Sequence, residues 1–183
     1  KVTRIRKGSY RGSDGIYATT VHELTHRGHR NMDPGMFSVV ANSCRKDMMI
    51  ESWAEGVETI LTNDRYDRFD NNYFRDTRTV FEGWNEARQR QTIQTMNEYT
   101  PIVIDLVDRA NQNLLPNTPG NQPVDNVENY TLQQIQSALD KSRNFTNWRN
   151  KLNANRPPGV TTAELTELFS YLNQVRQNPQ TCD

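Results

Sequence analysis

The residues best suited to chemistry are His22, Glu23 and His26, in the run Val21-His22-Glu23-Leu24-Thr25-His26. The run reads H-E-x-x-H and sits in a stretch with helical periodicity. On an α-helix, residues four apart lie one turn above each other on the same face. His22 and His26 therefore aim two imidazoles at one point. Neutral imidazole is a good zinc ligand, with a bond of about 2.0–2.1 Å. Glu23 stands one residue round from His22, beside that point rather than on it. A carboxylate there is suited to hold a metal-bound water and take its proton. Three residues thus supply two ligands and a base, and a catalytic zinc site still requires a third protein ligand.

His29 is the only other histidine of the three in the chain. On a continuous helix it lies about 10 Å along the axis from His22, a long reach for a third imidazole. Its expected place is a polar cleft or the surface. The stretch Glu51-Ser52-Trp53-Ala54-Glu55-Gly56-Val57-Glu58 lies in a second helical run, with Glu51 25 positions past His26.

Taken together, residues 16 to 62 resemble the gluzincins, zinc peptidases with two His ligands and one Glu ligand. Their second motif is commonly N-E-G-F-A-E-Y-V. Glu51, Ala54, Glu55 and Val57 match it, and Trp53 keeps the aromatic. Ile50, Ser52 and Gly56 depart from it, at positions that bear on helix packing more than on ligation. The resemblance implies His22, His26 and Glu51 as ligands of one Zn2+ per chain, with Glu23 as general base. Glu55 lies one turn beyond Glu51 on the same face and suits a carboxylate that accepts the second ring N–H of a ligand histidine. Thermolysin-like members carry an Asp in that place. Glu58 is expected at the surface. A peptidase also requires a donor for the oxyanion. Tyr66, Tyr73 and His29 are the candidates.

Two helices must position these groups. The first is expected over about Ile16–Arg30, capped by Ser13 or Asp14, with Tyr17, Val21, Leu24 and Gly28 as its inward stripe. Asn31-Met32-Asp33-Pro34-Gly35 stops it. The second is expected over about Arg45–Thr62, with Met49, Ile50, Trp53, Ala54, Val57, Ile60 and Leu61 inward. A long helix over Thr77–Glu98 follows, then one from Pro101 to about Asn113. A linker-like loop covers 114–127. Thr131-x-x-Gln134 caps a helix to about Asn144, and Phe145–Leu152 adds a turn or two. Thr161-x-x-Glu164 caps the last helix, to about Val175. Val2–Arg6 reads as the end of a strand.

The fold class is therefore mainly α, α+β at most, and zincin-like by resemblance. We expect one domain over 1–183, with a catalytic core over about 13–113 and a helical C-terminal part over about 128–183. The balance of 22 basic and 22 acidic residues gives no field to steer the chain to nucleic acid. With hydrophobic residues at 34% and a mean hydropathy of −0.90, no apolar run approaches a membrane span. The two cysteines, Cys44 and Cys182, fit no zinc spacing and read as unrelated thiols. The chain opens Lys-Val-Thr, as a mature form or a piece of a longer protein does, and an exported, periplasmic or cell-surface setting is expected. The function implied is zinc-dependent hydrolysis of peptide bonds in a peptide or protein substrate. The alternative is a non-catalytic zincin-like domain of a larger cell-surface protein.

Overall fold

Helix α1, Ser13–Met32, carries the H-E-x-x-H run at its middle. The computed structural model describes residues 13–38, 44–67, 100–109 and 125–175. Ser13 and Asp14, expected as caps, are instead the first two residues of α1. Thr19, Thr20 and Thr25 each return their hydroxyl to the carbonyl four residues back, so these polar side chains stay bonded within the helix. At the far end the Asp33 amide donates to the His29 carbonyl, and Pro34 opens a short 3-10 turn, Pro34–Phe37. The turn drops Met36 into the core.

Helix α2, Cys44–Asp67, runs five residues past its expected end, because Asn63 and Asp64 do not stop it. It lies antiparallel to α1. Tyr17 near the start of α1 meets Tyr66 near the end of α2, edge to face at 5.9 Å, while His26 meets Glu51 near the other end. The expected stripe of α2 is the buried one, with Met49, Ile50, Trp53, Ala54 and Val57 in the core. The expected stripe of α1 is only half inward: Tyr17 and Val21 are half-buried, and Val21 packs against the core. Leu24 is 53% exposed and Gly28 is exposed, whereas His22, Thr25, His26 and His29 are half-buried or buried. The α1 face that meets α2 is polar, because the facing stripe of α2 is Glu51, Glu55 and Glu58.

Helix α3, Ile102–Val107, crosses α2 on its small residues. Ser52 Oγ lies 2.8 Å from Thr100 Oγ1 and accepts the Thr100 amide at 2.8 Å, which satisfies these groups in the interior. One turn on, a Cβ at Gly56 would stand 2.3 Å from Val103 Cβ. Ser52 and Gly56, two of the departures from the gluzincin pattern, are thus where α3 comes in. Gly56→Ala is expected to destabilise the fold by about 1–3 kcal/mol through overpacking, read from chemical denaturation. An unchanged midpoint contradicts the close crossing. The helix ends at Val107, short of the expected Asn113, where Asp108 turns extended and bonds back to the Ile104 carbonyl.

Helices α4, Leu132–Leu139, α5, Phe145–Ala154, and α6, Thr162–Val175, complete the described fold. Both expected capping boxes form, Thr131 with Gln134 and Thr161 with Glu164. The expected single helix to Asn144 is broken after Leu139. Lys141 takes φ 57°, and Asn144 starts α5 by accepting the Asn147 amide. Phe145, Trp148 and Phe169 form an edge-to-face and tilted cluster at the centre of this part. Their core is continuous with that of α2 and α3. A second tie joins the two ends. Asp33, 4% exposed, accepts from both terminal guanidinium nitrogens of Arg143 and from the Lys141 amide.

Among the described residues there is no strand, and no helix is long and apolar enough to cross a membrane. The expected strand at Val2–Arg6, the helix over Thr77–Glu98, residues 110–124, Tyr73, Cys182 and the side chain of Cys44 lie outside them.

Candidate metal centre

The antiparallel pairing sets the stripe His22–His26 of α1 against the stripe Glu51–Glu55–Glu58 of α2. One turn separates His22 from His26, and their rings meet edge to face at 4.5 Å. Their Nε2 atoms are 2.9 Å apart. Glu51 Oε2 stands 3.3 Å from His22 Nε2 and 3.2 Å from His26 Nε2. These three atoms form a nearly equilateral triangle. Donors at about 2.0–2.1 Å around a tetrahedral zinc stand about 3.3–3.4 Å apart. The donor set, two imidazoles and one carboxylate with half-buried side chains, fits zinc in type and in spacing.

The other nitrogen of His22 faces two carboxylates. Nδ1 lies 2.9 Å from Glu58 Oε2 and 3.9 Å from Glu55 Oε2. The shorter contact belongs to Glu58, expected at the surface, while Glu55 stands beyond hydrogen-bond distance of that nitrogen. The missed signal was periodicity. Residue i+7 returns to the stripe of residue i after two turns, as Glu58 does to Glu51. An Nδ1–H donated to Glu58 fixes the tautomer that leaves Nε2 free to ligate. Truncation by Glu58→Ala is expected to weaken zinc binding by about 10–100-fold, read by competition with a chromophoric chelator. The same set offers a second donor group, His22 with Glu55 and Glu58. It shares the ring of His22 with the first.

Without a metal the His22 ring holds a proton strongly. Burial alone would lower its pKa, but the carboxylates of Glu51 and Glu58 outweigh that and push it up to about 10. Burial would likewise raise Glu51, and the hydrogen bonds from His22 and His26 hold it well below the usual carboxylate range. A metal at Nε2 must displace the His22 proton, so zinc affinity is expected to fall as pH falls. The sign follows from the raised pKa: below about 10 the metal-free ring is charged, and each bound ion releases about one proton from it. The apparent Kd should therefore rise about tenfold per pH unit between pH 8 and 6. A Kd flat over that range contradicts the assignment of His22.

The remaining candidates lie as follows. Glu23 is exposed on α1, one residue round from His22, and among the described residues it has no hydrogen bond or ion pair. Tyr66 is half-buried and packs edge-on to Tyr17 at the far end of the helix pair. His29 is 1% exposed, its ring edge-on to Phe37 at 5.2 Å, so it faces the interior rather than a cleft or the surface. No protein-family model matches the chain, and neither a curated protein nor a solved structure matches it.

Proposed function

We propose that the chain is a zinc-dependent peptidase centred on His22, His26 and Glu51. The observation that carries this reading is the triangle of donor atoms, 2.9 to 3.3 Å on a side, with an unengaged carboxylate one residue away at Glu23. His22 and His26 present their Nε2 lone pairs, and Glu51 supplies a negative oxygen that offsets part of the ion's charge. Glu58 holds the His22 ring in the ligating tautomer. Zinc, when bound, would act there as a Lewis acid toward a water and a peptide carbonyl. Glu23, exposed one residue round from His22, would take the water's proton on a carboxylate oxygen. It then gives that proton to the leaving amine nitrogen as the C–N bond breaks. A base beside the ligands has this use in hydrolysis and none in a purely structural site.

The test is cleavage of a peptide library by the zinc-loaded full chain, followed by mass spectrometry. Cleavage that a chelator abolishes and added zinc restores supports the peptidase. No cleavage with one zinc bound per chain would assign the site to a metal-holding domain without catalysis.

A further inference from the structure

His26 and His29 lie three residues apart on α1, so their side chains emerge as neighbours, with Cβ atoms about 5–6 Å apart. His26 Nδ1 and both ring nitrogens of His29 are buried, and none has a hydrogen-bond partner. Phe37 closes over His29, and Arg30 stacks over that same Phe37 ring at 5.9 Å. The nearby Asp33 carboxylate is already engaged by Arg143 and the Lys141 amide.

A histidine that ligates through Nε2 carries its remaining proton on Nδ1. A buried N–H without an acceptor costs about 1–3 kcal/mol, so the ligating tautomer of His26 calls for one. Glu58 is placed to perform this service for His22, and among the described residues no carboxylate does so for His26. His29 is the adjacent group with acceptor capacity to spare. Burial outweighs the opposing charge of Asp33 and, with lesser contributions from His26 and Arg143, pushes His29 down to about 4. Both of its ring nitrogens are buried without a partner, a setting that disfavours the charged ring and leaves a neutral imidazole with one bare nitrogen. The two rings make no direct hydrogen bond, so a link between them calls for one bridging water. Buried waters typically bridge two to four polar groups of this kind.

We infer that His29 is a positioning residue: its bare ring nitrogen receives the Nδ1–H of His26 through one ordered water and so holds His26 in the ligating tautomer. The inference rests on the metal reading of His22, His26 and Glu51. It gives His29 a part in metal binding although it is neither a ligand nor a contact for substrate.

The experiment is long-range 1H–15N correlation spectroscopy of the zinc-loaded full chain, with zinc affinities for His29→Gln and His29→Phe. In the wild type we expect His26 in a single Nδ1–H tautomer whose proton exchanges slowly with solvent. His29→Phe fills the space without an acceptor and should weaken zinc by about 10–100-fold and speed that exchange. His29→Gln offers an amide oxygen and should recover most of both. A mere packing role predicts no such recovery. Equal zinc affinity and equal His26 spectra in wild type and His29→Phe overturn the inference and leave the metal reading standing. If His29→Phe does not fold, a fast-exchanging His26 Nδ1–H in the wild type overturns it alone. A wild type that binds no zinc overturns both.

Discussion

Glu23→Gln should bind one zinc per chain as the wild type does, and should cleave peptide about 10²–10⁴-fold more slowly. The two halves of that result come from different facts. Zinc retention follows because Glu23, among the described residues, makes no hydrogen bond or ion pair with the triangle of His22, His26 and Glu51. Glu23 is exposed, so the amide disturbs no packing and the melting temperature should hold. The rate loss follows because an amide oxygen is too weakly basic to take a proton from water. Cleavage assays on both proteins, at matched zinc content, check it. Equal cleavage by both points to a contaminating protease. A variant that also loses its zinc would place Glu23 among the ligands and undo the division of roles.

Glu51→Ala should lose most of its zinc. Glu51 contributes the one carboxylate of the triangle, and its loss leaves two imidazoles from a single helix, too few for a tight zinc site. The fold should tolerate the change. Glu51 is half-buried at the helix interface, and α2 is anchored elsewhere by Trp53, Met49 and the Ser52–Thr100 pair. Removing the carboxylate also deprives His22 of one of the two groups that keep it protonated, so its pKa should fall from about 10. Zinc content after dialysis, read beside circular dichroism, separates the effects. A folded variant that keeps its zinc means another donor, in the first instance Glu55 or Glu58, supplies the third bond.

The helix pair was legible because its apolar residues and its two paired histidines recur at three and four. The capping boxes at Thr131 and Thr161 were legible because each is a four-residue signal with one local function. Three things were not. The break between α4 and α5 depends on Lys141 in a left-handed conformation, which a lysine does not announce. The inward face of α1 differs in part from its apolar pattern: Tyr17 and Val21 turn in, but Leu24 and Gly28 do not. Here the partner stripe carries three glutamates, and the histidines go in while Leu24 stays out. Glu55 and Glu58, one and two turns past Glu51, share one stripe, and Glu58 is the nearer to His22. Which of two carboxylates on one stripe comes nearer depends on the offset between α1 and α2. Side-chain packing across the pair fixes that offset, and no local pattern encodes it. Ser52 and Gly56 carried a signal of the same nonlocal kind, since small residues one turn apart mark a close crossing without naming the helix that crosses.

The most direct test of the metal centre is zinc X-ray absorption on the purified full chain carrying one equivalent of zinc. The geometry predicts two imidazole nitrogens and light oxygen donors in a shell at about 2.0–2.1 Å, with no sulfur. His22→Ala should remove one imidazole from that shell or abolish binding. A shell without histidine, or one with sulfur at about 2.3 Å, would contradict a site built from His22, His26 and Glu51.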